Sequence, residues 1–144
     1  MANQTEEVLK GGAFLIEDID AEKMFTPEDY SDEHKMIAKT TQDYLVNEVI
    51  PQVEYLEEHE FDRSVKLLKQ AGELGLLGAD VPEEYGGLGL DKISSALITE
   101  KMAPAGGFSI THGAHVGIGS LPIVLFGNEE QKQKYLPLLA TGEK

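Results

Sequence analysis

Residues 109–126 read Ser109-Ile110-Thr111-His112-Gly113-Ala114-His115-Val116-Gly117-Ile118-Gly119-Ser120-Leu121-Pro122-Ile123-Val124-Leu125-Phe126. The apolar side chains here lack the strict alternation of a strand, Ser109 stands where a helix cap is needed, and Gly127 follows where a helix ends. A helix from Ile110 to about Phe126 is expected. Its first half is unusually small, with Gly113, Ala114, Gly117, Gly119 and Ser120 among Ile110, Val116 and Ile118. Each glycine lowers helix stability by roughly 1 kcal/mol relative to alanine, so several together need a compensating reason. Two reasons are available: close approach of a neighbouring helix, or open space beside the helix for an elongated apolar ligand. Composition does not choose between them.

Working outward, Asn128 and Gln131 form a capping-box pattern that opens a last helix through Tyr135, Leu136, Leu138 and Leu139 toward Gly142, with Pro137 near its end. Upstream, Asp91 starts a helix through Ile93, Leu97, Ile98 and Met102, stopped by Pro104, Gly106 and Gly107. Residues 76–90 are glycine-rich, carry Pro82 and read as a connector. Before them, Asp62 can cap a helix whose apolar face is Val65, Leu68, Ala71 and Leu74, with Gly75 as a left-handed stop. The first long helix opens at Thr26-Pro27-Glu28-Asp29 or at Ser31-Asp32-Glu33. It runs through Met36, Ile37, Tyr44, Leu45, Val49, Val53 and Leu56, and Pro51 is expected to kink it. Residues 1–25 are a mobile acidic lead with one anchoring apolar patch at Ala13, Phe14, Leu15 and Ile16, then Ile19. No segment alternates long enough to be a strand, so the fold expected over 26–144 is all-α, a bundle of about five or six helices.

Three clusters invite chemistry and have plainer explanations. His112 and His115 share part of a helix face, but metal binding needs further ligands and no acid lies within a turn, so a helix–helix hydrogen bond or cavity lining is favoured. Gly86-Gly87-Leu88-Gly89 has the glycines of a phosphate loop without its preceding strand or its lysine–hydroxyl pair, and is better explained as a tight connector. Glu57, Glu58 and Glu60 around His59 form an acidic run in polar sequence, the setting of a solvated face and not of tuned catalytic carboxylates.

The 144 residues carry 26 acids and 12 basic side chains, a net charge of −14. Residues 1–62 hold 17 of the acids and 4 of the bases, so the acidity belongs to the front. Such a surplus repels a phosphate backbone and disfavours nucleic acid and anionic lipid as partners. There is no cysteine, hence no disulfide, thiolate metal site or thiol nucleophile. The acidic start is unlike a signal peptide and no membrane span is expected, which points to a soluble, cytoplasmic chain.

Four pieces together carry a family resemblance. They are the connector Val81-Pro82-Glu83-Glu84-Tyr85-Gly86-Gly87-Leu88-Gly89-Leu90, the helix ending Thr99-Glu100-Lys101-Met102-Ala103, the small-residue helix, and Leu121-Pro122-Ile123 continuing through Phe126-Gly127-Asn128-Glu129-Glu130-Gln131-Lys132-Gln133-Lys134-Tyr135-Leu136-Pro137. In order and spacing they resemble the N-terminal helical domain of the acyl-CoA dehydrogenases, over about Tyr30 to Lys144. The resemblance implies a FAD-dependent enzyme of fatty-acid β-oxidation. Such enzymes remove hydrogens from the α and β carbons of a fatty acyl-CoA and pass electrons to an electron-transfer flavoprotein. In the family a glutamate takes the α proton and the flavin accepts the β hydride, the protein supplying orientation.

That glutamate lies in the family's C-terminal helical domain, and the main flavin contacts lie in its middle β-domain and later. The resemblance thus implies no catalytic and no cofactor-binding residue in this chain, which would stop just ahead of the β-domain and be inactive alone. Full-length members are generally dimers or tetramers, so a homo-oligomer is expected. What carries over is acyl-pocket lining by Thr111, Ala114, His115 and Ile118. Medium-chain members have a glutamate where this chain has Ala114, closing the pocket floor. Gly113-Ala114-His115 and the long lead look most like the very-long-chain branch, implying a long-chain substrate. Two alternatives are an acyl-CoA oxidase on the same fold, separated by oxygen consumption, and a non-catalytic helical interaction module. A yellow purified chain would contradict a flavin site outside it.

Overall fold

A computed structural model describes residues 11–18 and 24–144. The expected lead, 1–25, falls largely outside the described residues, Ile19 included; of its apolar patch, Leu15 and Ile16 are exposed. The chain divides into two compact units, 1–32 and 33–144.

In the first unit, residues 11–15 make one 3-10 turn and Pro27–Asp29 another. The second turn is closed by its own sequence, the Thr26 amide donating to Asp29 Oδ2 at 2.8 Å. Both start signals in the sequence are therefore used: the Thr26 one opens a single turn, and the long helix begins after Ser31.

Among the described residues there is no strand, and the rest of the chain is five helical runs. The first comprises α1 (Asp32–Tyr44), a π-helical turn (Leu45–Val49), a 3-10 turn (Ile50–Gln52) and α2 (Val53–Glu57). Then come α3 (Phe61–Glu73) and α4 (Lys92–Met102). The fourth run joins α5 (Gly107–Gly113), a π segment (Ala114–Ser120) and α6 (Leu121–Phe126), and α7 (Glu129–Ala140) is the last.

The kink expected at Pro51 takes a specific form. Proline has no amide hydrogen and its ring crowds the carbonyl four residues back, so the turn before it widens and Ile50 N–H bonds to Leu45 O, five residues back. The main core forms around this turn, with Tyr44, Leu45 and Val49 packed on Leu67, Ala71, Leu76, Leu77, Ile98, Met102 and Phe108. Each large apolar side chain withdrawn there contributes about 1.5–3 kcal/mol. The Tyr44 hydroxyl is buried with them and donates to Leu67 O at 2.7 Å, and burial followed by the Glu48 charge pushes its pKa upward.

Local signals held where the partner is local. Asp91 caps α4 by accepting from Ser94 N at 2.8 Å, Asn128 and Gln131 cap α7 reciprocally, and Gly75 turns left-handed at φ 77°. Three details differ. Glu60, not Asp62, occupies the cap position of α3, and Asp62 sits in its first turn. Of the face expected for α3, Ala71 is buried and Leu68 partly so; Val65 and Leu74 are exposed, and Leu67 takes the core position. Pro137 lies within α7 without ending it. The connector 76–90 is folded by backbone bonds, Leu88 N to Gly78 O at 2.9 Å and Leu90 N to Ala79 O at 2.8 Å. At Gly87 a Cβ would lie 2.0 Å from Val81 O, so no side chain fits.

Candidate functional site

The run Gly107–Phe126 is the candidate site, and its residues divide by what surrounds them. Phe108, His112 and Ser120 are buried. His112 is 2% exposed; burial, together with nearby His115 and against a hydrogen bond to the Leu76 backbone, pushes its pKa down to about 4. The ring is thus neutral at physiological pH, and its Nε2 has no partner among the described residues. His115 Nε2 lies 2.8 Å from Leu139 O; a carbonyl only accepts, so Nε2 carries the proton and ties this run to α7. The two histidines serve different neighbours, and among the described residues no group of three or more His, Asp or Glu has the arrangement of a metal site.

The opposite side is open. A Cβ built on Gly113 or Gly117 meets nothing within 4 Å. Ala114 is exposed, Ile118 is 79% exposed and Ile110 74%. Among the described residues, then, no neighbouring helix packs on Gly113 or Gly117, and the space beside them is open. Of the four residues expected to line an acyl pocket, Ala114 and Ile118 are on this open side. Thr111 is half-buried with its hydroxyl donating to Gly107 O at 3.3 Å, and His115 is half-buried and held by α7.

The backbone widens here for the reason it widens near Pro51. Pro122 follows the π segment, and Leu121 N–H bonds to Val116 O, five residues back. The Ser120 hydroxyl, in turn, donates to His115 O at 3.0 Å. By length and composition the run is long and apolar enough to cross a membrane, while its buried Phe108, His112 and Ser120 tie it to the protein core.

Ser109 is not the helix cap. Its hydroxyl donates to Gly106 O at 2.7 Å, whereas the first amide of the run, Gly107 N, donates to Glu57 Oε1 at 3.1 Å from 50 residues away in sequence. The sequence reading missed Glu57. The one signal for it was an acid on the last residue of a helix, where the macrodipole disfavours negative charge.

An all-helical domain with an apolar helix face left uncovered is the class that fold and site define. Residues 31–143 match the family model described as acyl-CoA dehydrogenase, N-terminal domain, and the chain belongs to that family. It is 69% identical over all 144 residues to a probable acyl-CoA dehydrogenase of Bacillus subtilis (strain 168), covering 24% of that protein. Among solved structures, it is similar to the acyl-CoA dehydrogenase complexed with FAD from Bacillus anthracis, with 79% identity and TM-score 0.89, over 93% of this chain and 23% of that one. A chain in a structure of an electron transferring flavoprotein of Acidaminococcus fermentans matches at 38% identity and TM-score 0.73, over 81% and 31%. The chain spans about a quarter of the length of the first two relatives. Their names are those of general acyl-CoA dehydrogenases and do not support the very-long-chain branch expected from Gly113-Ala114-His115.

Proposed function

We propose that this chain is the N-terminal helical domain of a FAD-dependent acyl-CoA dehydrogenase that desaturates a fatty acyl-CoA between its α and β carbons, on long acyl chains and in β-oxidation. The observation that carries this is the uncovered face at Gly113, Ala114, Gly117 and Ile118, where added Cβ atoms at the glycines meet no neighbour and Ile118 is 79% exposed. A flexible acyl tail laid along such a face loses water from both surfaces, at about 0.8 kcal/mol per methylene. With alanine at 114 there is no large side chain to shorten the track.

The flavin is supported by the Bacillus anthracis relative, which is complexed with FAD. The glycine run 86–89 offers the flavin no phosphate cradle, being folded on itself with Gly89 N bonded to Val81 O at 2.9 Å. The role proposed for the chain is accordingly to bind and orient the tail and exclude water from it. The electron-transfer flavoprotein proposed as partner draws support from the Acidaminococcus relative; a cytoplasmic homo-oligomer without a membrane span is proposed for the whole enzyme.

The test is turnover of butyryl- and palmitoyl-CoA by the full-length enzyme, with dye reduction as readout. Preference for palmitoyl-CoA supports the long-chain reading, and equal turnover removes it. A flavin spectrum from the purified chain would overturn the placement of the cofactor elsewhere.

A further inference from the structure

The carboxylate of Glu57 stands out because its position opposes its own helix. It is the last residue of α2, where the local field is unfavourable to an anion, and it is followed by Glu58 and Glu60. Yet Glu57 Oε1 accepts the Gly107 amide at 3.1 Å, and α2 packs against α5. The receiving backbone is shaped around it. Gly106, the residue before the helix, has φ 59° and ψ −133°, a conformation essentially restricted to glycine. A Cβ on Gly106 or Gly107 would lie 3.1 or 3.3 Å from Glu57 Oε1. The position that a cap side chain would normally occupy has no side chain, and the acceptor is supplied by another helix. An anion placed there also meets the positive end of the peptide dipoles of the 107–126 run.

We propose that Glu57 is a positioning residue, a cap delivered from α2 that fixes the start of the 107–126 run and with it the placement of Ala114, Gly117 and Ile118. The functional half of this inference rests on the acyl-facing reading; the cap itself does not. Glu57→Gln keeps an oxygen acceptor and Glu57→Ala removes it.

Amide hydrogen exchange on the full chain is expected to be about fivefold or more faster at Gly107 and Phe108 in Glu57→Ala, near the parent rate in Glu57→Gln, and unchanged at Leu67 in the core. Palmitoyl-CoA, added to the full-length enzyme, is expected to bind several-fold more weakly to Glu57→Ala and close to normally to Glu57→Gln. Unchanged exchange at Gly107 in Glu57→Ala overturns the cap. Altered exchange with unaltered palmitoyl-CoA affinity overturns its positioning role. If the parent enzyme itself does not bind palmitoyl-CoA, the acyl-facing reading fails and the exchange result still decides the cap.

Discussion

Two stretches of this chain make the same departure from the α-helix and turn different outward faces to solvent. Leu45–Val49 and Ala114–Ser120 are both π-helical, both lead into a proline, Pro51 and Pro122, and both end with an amide bonded five residues back. In the first, Leu45 and Val49 are essentially inaccessible and sit in the main core. In the second, a Cβ on half-buried Gly117 would meet nothing within 4 Å and Ile118 is 79% exposed. The shared cause is proline's missing amide and the crowding of its ring. What differs is the outward side: both segments keep a buried side, Leu45 and Val49 in one and Ser120 with half-buried Val116 in the other, but the first turns Val46, Asn47 and Glu48 to solvent and the second turns Ala114, Ile118 and Gly119 there. A π turn is thus no sign of function by itself; the absence of a packing partner carries that information.

The largest expected effect tests the buried side of the first turn. Leu45→Ala should destabilise the chain by about 4 kcal/mol, as deletion of a buried leucine side chain does, while Ile118→Ala should stay within about 0.5 kcal/mol. Urea midpoints at equal m values measure both. Equal losses would mean that Ile118 is also packed, and the contrast would collapse.

A pH titration probes the boundary between the buried and open parts of the second run, where His112 lies. Its pKa in the folded chain is about 4, below the usual histidine value near 6.5. The unfolded chain therefore binds the extra proton first as pH falls. The stabilisation held in neutral, buried His112 is present above pH 6.5 and is lost between about pH 6.5 and 4, amounting to on the order of 3 kcal/mol. His112→Gln should flatten this part of the stability profile. A profile with the same slope in the variant would place the titration elsewhere.

Pro51→Ala and Pro122→Ala sharpen the comparison further. Each restores an amide that can bond four residues back, with a stability change of about 1 kcal/mol. The core around Leu45 and Val49 should hold the first turn in its π register. The second turn has no such constraint on its open side and should relax toward α, moving the Leu121 amide bond from Val116 to Gly117. Amide chemical shifts or a crystal structure of each variant would report the register; relaxation of both would show that proline alone maintains them.

These contrasts also explain what the sequence disclosed. Asp91, Asn128 with Gln131, and Gly75 act on amides and torsions within four residues, so spacing alone revealed them. Ser109 is not the cap because the helix begins two residues before it, at Gly107, whose amide finds its acceptor in Glu57, 50 residues away. Leu67 displaced Val65 from the buried face of α3, a choice made by the helices that dock there and not by the local period. Pro51 announced a kink, but whether a turn widens or breaks depends on what packs around it. The small residues of 109–120 posed a pair of alternatives that spacing cannot separate, because the answer lies in what surrounds Gly113 and Gly117, where the described residues place no neighbour.

The smallest effect is the most discriminating. Gly117→Ala adds a Cβ where nothing lies within 4 Å, so the gain in helix propensity should appear undiminished, raising stability by up to about 1 kcal/mol. A loss instead would reveal a packing partner on that face in solution. If the face takes an acyl tail, the same methyl group should stand in the track and weaken palmitoyl-CoA binding to the full-length enzyme while the fold becomes more stable. Gly86→Ala, at a left-handed residue with φ 83°, should do the reverse, costing stability with no direct effect on the tail. A face kept small for packing loses stability and binding together; a face kept small for a ligand separates them.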